Sequence, residues 1–550
     1  MCTRNKTLLY NCIYTFIFTN FITTTNTNSN SRMKPNHKLA EALISLKEIQ
    51  DKKIVAIHTD NFKSLKHRQL LMKYGFIKEV SKGWYITADP IEKEGETTSW
   101  YSAYWDFVAE FLNYKYQNDW CISADQSLLF HVQNSTIPQQ LLVRSPKGNN
   151  NPTPLPHNTS LFNLKTEILS DQYVSVMNGI RMHNLQSSLV YCSPRIYKTN
   201  ALDVRTALSM IRDASEVLQL LLEYGHSTLA GRLAGAFRNI GRDKIANQII
   251  EAFKQADYDI REDDPFDSTT EINLPSRERS PYAIRIRLLW QEMRKTVIQS
   301  FPSPPGIQKD IPNYLQKVDD LYLTDAYHSL SIERYKVTPD LISRVSSGEW
   351  NAASNEDDRK QRDAMAARGY YQAFIQVKQS IKKILEGSNS GLQVEEDHGR
   401  WFRELFDPSV AAGLLQPSDL AGYRNHQVYI GNSKHVPVNV DAMRDAMPVY
   451  FELLSEETEA SVRAVLGHFI FVYIHPYMDG NGRMARFLMN VMLASGGYPW
   501  TVIPVEQRAT YMHSLDQASV EQDISSFTSF LANLVSETMR GNEVAKLPAI

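Results

Sequence analysis

Between residues 459 and 474 apolar side chains recur at three- and four-residue steps. Val462, Val465, Leu466, Phe469, Ile470 and Tyr473 predict a buried helix there. A second stripe, Phe487, Leu488, Val491, Met492 and Leu493, predicts a helix that opens at Arg483 and is stopped by Gly496 and Gly497. Similar periodicity marks helices over Ile284 to Ser300, Ile311 to Tyr322, Gln361 to Leu385 and Arg400 to Phe406. Residues 281–545 therefore read as one largely helical domain. Within it, Gln427 to Val438 breaks the pattern: Val428, Tyr429 and Ile430 are strand-like, Gly431 and Asn432 turn, and His435, Val436 and Pro437 return. A hairpin is expected there.

The first half of the chain is less regular. In 36–90, Leu39, Leu43, Leu46 and Ile49 predict one helix and Phe62 to Tyr74 a second, ended by Gly75. Two short strands follow, Phe76, Ile77 and Val80, then Trp84, Tyr85 and Ile86, around Lys82-Gly83. That order is a winged helix, and Lys63, Lys66, His67, Arg68 and Lys73 on the second helix suit phosphate neutralisation, so DNA is an expected partner of 36–90. A protein-interaction domain with a solvated basic face is the alternative. In 91–258 an aromatic helix, Trp100 to Tyr114, precedes Pro-punctuated strands and loops over 136–175, then helices from Ala201 to Lys254. Residues 259–280 are acidic and polar, as in a linker.

Composition narrows the class. A chain of 550 residues, 43% hydrophobic and 22% charged, has the make-up of an ordinary globular protein of about three domains. Its net charge of −2 gives no global attraction to nucleic acid. Cys2, Cys12, Cys121 and Cys192 form no CxxC pair, which argues against a zinc site and suits a reducing cytoplasm. Residues 1–32 hold an apolar stretch interrupted by Asn11, Thr15, Thr19 and Asn20, then a Thr/Asn/Ser tract; they read as a disordered extension, with a signal peptide as the alternative. No membrane partner is expected, since no run reaches the roughly 18 apolar residues of a span.

The chemistry gathers at His475, Pro476, Tyr477, Met478, Asp479, Gly480, Asn481, Gly482, Arg483, Met484, Ala485 and Arg486. His475 ends one helix and can act as a general base. Gly480 and Gly482 let a phosphate approach the main chain, and the next helix start offers free N–H groups and a positive dipole end. Arg483 and Arg486 add fork-shaped donors to phosphate oxygens, and Asp479 is a hard ligand for Mg2+.

This stretch resembles the Fic signature, His-x-Phe-x-(Asp/Glu)-Gly-Asn-Gly-Arg-x-x-Arg, with Tyr477 in place of Phe. The resemblance implies a mainly α fold: a helical core with a β-hairpin flap, here preceded by an α+β winged helix and a mixed middle region. It implies ATP and Mg2+ bound at Asp479, Gly480, Asn481, Gly482, Arg483 and Arg486. AMP would pass to a Ser, Thr or Tyr hydroxyl of a protein held by the flap at Val428, Tyr429, Ile430 and Gly431, with His475 as base. Tyr511, in the helix after Tyr498-Pro499-Trp500, is a candidate adenine contact, with core packing as the alternative. Ser329 and Glu333 match the inhibitory motif (Ser/Thr)-x-x-x-Glu-(Gly/Asn) of many Fic proteins, while Arg334 departs from it; a glutamate reaching Arg486 would occupy the place of the terminal phosphate. The half before the linker resembles the AbiEi family of antitoxin-type regulators. Alternatives are a DNA-binding regulator with a latent or nucleotide-sensing site, removal of AMP from a modified protein, and use of another nucleotide. A homodimer is allowed by the sequence.

Overall fold

A computed structural model describes residues 37–90, 92, 96–223, 225–267, 280–307, 309–347 and 362–548. The expected extension 1–32, with Cys2 and Cys12, lies outside the described residues. The chain divides into two units: Met1–Asn273 with Asn425–Val436, and Leu274–Arg424 with Pro437–Ile550. The fold is mainly helical, and all strands of the described residues fall between 57 and 183. No described helix is long and apolar enough to cross a membrane.

The first unit opens with the helix His37–Asp51, whose Ala42, Leu46 and Ile49 pack on Ile57, Leu71, Ile77 and Tyr85. Strands β1 (Ile57–His58), β2 (Ile77–Ser81) and β3 (Trp84–Thr87) form an antiparallel sheet of order β1-β3-β2. The expected helix from Phe62 starts later, at Leu65, because Ser64 caps it by accepting the Lys66 N–H at 3.2 Å. The helix Thr98–Tyr116 follows. It buries Trp100, Tyr104, Phe107 and Phe111 in an aromatic core shared with a second sheet. This sheet comprises β4 (Cys121–Ile122), β5 (Gln140–Ser145), β6 (Pro152–Leu155) and β7 (Thr159–Lys165) in the order β4-β5-β7-β6. Pro152 and Pro154 lie in β6, an edge strand, where a missing N–H costs no ladder bond. A hairpin of β8 (Val174–Met177) and β9 (Ile180–His183) leads into helices that close a third core around Leu208, Leu221, Phe237 and Phe253.

Two expectations are corrected here. Residues 260–267 are no free linker. Asp263 donates its N–H to the Gly231 carbonyl at 3.2 Å, and Phe266 is buried with its ring 5.2 Å from Tyr197. A Cβ on Gly231 or Gly235 would lie 1.9 or 2.2 Å from the carbonyl oxygens of Arg261 and Asp263, so these glycines admit this segment rather than a second helix. Residues 268–279 lie outside the described residues. Nor does 427–438 form a β-hairpin. It turns at Gly431 and Asn432 without strand pairing, and two of its groups bond to the earlier chain of the first unit. The Thr97 N–H meets Asn432 Oδ1 at 3.2 Å, and the Ile137 N–H meets the Lys434 carbonyl at 3.2 Å.

In the second unit two helices, Ala460–Ile474 and Asn481–Ala494, are buried on nearly every side, as their continuous apolar composition requires. Pro281–Ser300, Met443–Glu456, Arg362–Leu385, Ser390–Ala411, Arg508–Val520 and Ser525–Met539 surround them. The expected helix 311–322 runs ten residues further, to Ile332, and carries Ser329 on its last turns.

Candidate active site

The helix Ala460–Ile474 ends at His475, which adopts a left-handed backbone (φ 57, ψ 61). Such a conformation is costly for a non-glycine residue, so the surroundings must enforce it. Arg424 does so. Its Nε donates to the His475 carbonyl at 2.8 Å, its Nη2 to the carbonyls of Val438 and Ile474, and its N–H to the Pro476 carbonyl at 2.9 Å. A guanidinium at a helix C-terminus satisfies carbonyls that lack partners there. The half-buried His475 ring places Nδ1 3.1 Å from the Val472 carbonyl. Because a carbonyl only accepts, Nδ1 carries the proton and Nε2 keeps its lone pair. Burial, with Arg424 adding to it against Glu333 and Asp479, pushes the pKa down to about 4. The imidazole is neutral at pH 7.

The loop that follows is stapled by Asn481. Its Oδ1 accepts the Tyr477 N–H at 2.9 Å and its Nδ2 donates to the Tyr477 carbonyl at 2.8 Å. The Asn481 side chain, expected on the nucleotide, thus shapes the loop. Tyr477 itself stacks on Phe402, ring centres 3.8 Å apart. Gly480 caps the second helix with φ 79, and a Cβ there would strike the Phe406 ring at 2.9 Å. Asp479 is exposed beside it and accepts the Gly480 N–H at 2.6 Å.

The two arginines differ. Arg483 is 1% exposed, its guanidinium 5.2 Å from the centre of the Tyr335 ring and 5.0 Å from that of Phe406, and its Nη2 3.9 Å from Asp479. Arg486 donates Nε to Ser329 Oγ and Nη2 to both the Ser329 carbonyl and Glu333 Oε1, each at 2.9 Å. Nε of Arg483 and Nη1 of Arg486 are buried without a hydrogen-bond partner. A buried, unsatisfied cationic donor calls for an anion. A Cβ on Gly482 would fall 2.3 Å from Glu333 Oε1. The Glu333 carboxylate therefore lies over the first turn of the 481–494 helix, where free N–H groups and the dipole favour negative charge.

Tyr511 is corrected. It is 1% exposed, hydrogen-bonded to His468 Nε2 at 2.8 Å and packed near Phe527 and Phe530, so it belongs to the core and offers no face to an adenine. The flap candidates Val428, Tyr429, Ile430 and Gly431 fall in the 425–436 segment of the first unit. Arg424 and Phe406 were missed by sequence reasoning. Both lie well before the signature and act through carbonyl and ring contacts that leave no local spacing pattern.

The 475–486 stretch thus brings together a neutral imidazole, a glycine-opened turn and two buried guanidinium groups at a helix start. Residues 393–493 match the model of the Fic/DOC family. The protein adenylyltransferase Fic of Drosophila willistoni and that of Drosophila virilis are each 37% identical over 131 residues, 23% of this chain and 26% of theirs. The chain thus spans about a quarter of the length of the curated relatives it matches. Among solved structures, Fic-1 from C. elegans aligns over 62% of this chain and 86% of its own, at 16% identity and TM-score 0.35. A Fic domain containing signaling protein from Bacteroides thetaiotaomicron aligns over 47% and 100%, at 15% identity and TM-score 0.33.

Proposed function

We propose that the second unit transfers AMP from ATP to a protein hydroxyl and is held in an inhibited state by Glu333. The carrying observation is the set of unpaired N–H donors on Arg483 and Arg486 at the start of the 481–494 helix, beside a neutral His475. In this reading the triphosphate lies against that helix start once Glu333 withdraws. His475 Nε2 takes the proton of a Ser, Thr or Tyr hydroxyl, the hydroxyl oxygen bonds to the α-phosphorus, and the bond from that phosphorus to the bridging oxygen breaks, releasing pyrophosphate. Asp479, a single exposed carboxylate, fits Mg2+ shared with substrate phosphates, and the ion when bound would neutralise charge on the leaving group. ATP as co-substrate and the free Cys121 and Cys192 suit a cytoplasmic setting. The test is ATP labelled at the α-phosphate, added with a cell lysate as a source of hydroxyl targets. Glu333→Gly should raise protein-bound label several-fold over wild type, and adding His475→Ala should remove it. Equal labelling by Glu333→Gly with and without His475→Ala overturns the reading.

The helix, strand, helix and hairpin order of 37–87 supports a winged helix and a second activity, DNA binding. Its basic helix is partly engaged. Lys63 pairs with Glu48, His67 lies 4.0 Å from Glu41, and Arg68 donates to Thr59 at 3.1 Å. Lys66 and Lys73 remain exposed for phosphates. Two such contacts give a shallow salt dependence, a slope of about −2 in log K against log salt. Titration of duplex DNA across salt concentrations checks this, and absence of binding at low salt rejects it.

A further inference from the structure

The last turn of the 311–332 helix is gripped from two directions within the second unit. Arg486 takes Ser329 and Glu333. The chain that follows the signature takes the rest. His328, fully buried, accepts the Val505 N–H at Nδ1 (3.1 Å) and donates from Nε2 to the Lys546 carbonyl (3.2 Å). Three residues after Val505, Arg508 donates from Nε to the Ile332 carbonyl at 2.7 Å. Ile332 immediately precedes Glu333, and its carbonyl is among the four at a helix C-terminus that have no intrahelical partner. A guanidinium there both satisfies the oxygen and complements the negative dipole end. Burial and the nearby charges of Arg334 and Arg486 all act against the Arg508 cation, and Glu333 acts for it. A half-buried arginine that feels the charges of two others is held by what it bonds, and the bond the structure gives it is to the backbone that carries Glu333.

Resting on the reading of Glu333 as an inhibitory group, we propose that Arg508 is the positioning residue of the inhibitory clamp: it fixes the Ile332 carbonyl, and with it the backbone from which Glu333 reaches Arg486, and takes no part in AMP transfer. Losing it frees the helix end to fray, so Glu333 leaves the phosphate place more often.

The test uses the full chain and ATP labelled at the α-phosphate. Arg508→Ala should raise labelling several-fold, toward the level of Glu333→Gly, and add nothing in the Glu333→Gly background. Arg508→Met, which keeps the apolar stem without the donor, should behave as Arg508→Ala. Arg508→Lys, which restores a cationic donor, should return labelling most of the way to wild type. A merely structural role would lower labelling in both backgrounds and would not distinguish Met from Lys. The proposal is overturned if Glu333→Gly raises labelling while Arg508→Ala and Arg508→Met do not. It is overturned equally if Arg508→Ala lowers labelling in the Glu333→Gly background, which would place Arg508 on the nucleotide or target, or make its role merely structural where Arg508→Lys lowers labelling as much as Arg508→Met. If Glu333→Gly itself leaves labelling at the wild-type level, the inhibitory reading has failed, and the proposal falls with it.

Discussion

Arg334 stands where the inhibitory motif has Gly or Asn, and its backbone explains both the motif and the departure. The residue has φ 65, its N–H bonds the Ser331 carbonyl at 2.9 Å, and the Tyr335 N–H bonds the Leu330 carbonyl at 3.1 Å. This is the left-handed helix stop in which Gly or Asn is favoured. Arginine at such a position costs about 1 kcal/mol without displacing Glu333. Arg334→Gly should therefore raise the unfolding midpoint by about 2–4 °C with labelling unchanged. A midpoint that falls, or labelling that rises, would show that the Arg334 side chain supports the clamp. His475 makes a second prediction. Its depressed pKa of about 4 leaves the base unprotonated over the whole physiological range, so the transfer rate of Glu333→Gly should hold from pH 7 down to about pH 5 and fall only as pH nears 4. An acid limb near 6.5, the ordinary histidine value, would mean that a more exposed group limits the rate. His475, Gly480, Gly482, Arg483 and Arg486 were legible because one helix end and the next helix start are adjacent in sequence, so spacing encodes the cradle. Asn481 and Tyr511 had the right residue types for a nucleotide, but the loop and the core use them. Arg424 and Arg508 bond main-chain carbonyls, which have no sequence signature.

Periodicity located the second unit's helices well and their ends less well. Ends depend on single caps, such as Asp310 accepting the Asn313 N–H at 3.1 Å to open the 311–332 helix. The 427–438 segment has the alternation of a hairpin, yet its Lys434 carbonyl and Asn432 side chain bond Ile137 and Thr97, residues about 300 positions earlier. No local pattern reports such partners. Nor does any local pattern show what approaches the glycines of the 227–239 helix. Gly231→Ala would push a methyl to 1.9 Å from the Arg261 carbonyl oxygen, so the 261–267 segment must lift from the helix. A destabilisation of about 1–3 kcal/mol is expected, read as a lower unfolding midpoint together with faster amide exchange at Asp263, whose N–H bonds Gly231. Unchanged exchange at Asp263 would mean that the segment accommodates the methyl.

At the scale of the molecule, domain reading from composition placed a boundary in 259–280, while the return of Asn425–Val436 to the first unit is a property of tertiary packing alone. Both units share one electrostatic trait. His131 and His183 in the first, and His328, His398, His468 and His475 in the second, all have lowered pKa values, mainly because burial disfavours the imidazolium. Between the ordinary value of 6.5 and the folded values, about 4 for His183 and His475 and about 3 for His468, the unfolded chain binds more protons than the folded one. Stability contributed by these groups is therefore fully present above about pH 6.5 and is lost as pH falls toward 4. Asp325 opposes them. Burial raises its pKa to about 6, so its contribution falls as pH rises through the window from 3.8 to about 6. Six groups against one decide the sign. The unfolding midpoints of both units should be flat from pH 7 to 8 and decline steadily from pH 6.5 to 4.5. Since the two histidine sets lie in different units, a decline confined to one transition would show that the other unit's histidines meet water in the folded state, which for the second unit would also remove the physical basis for a neutral His475.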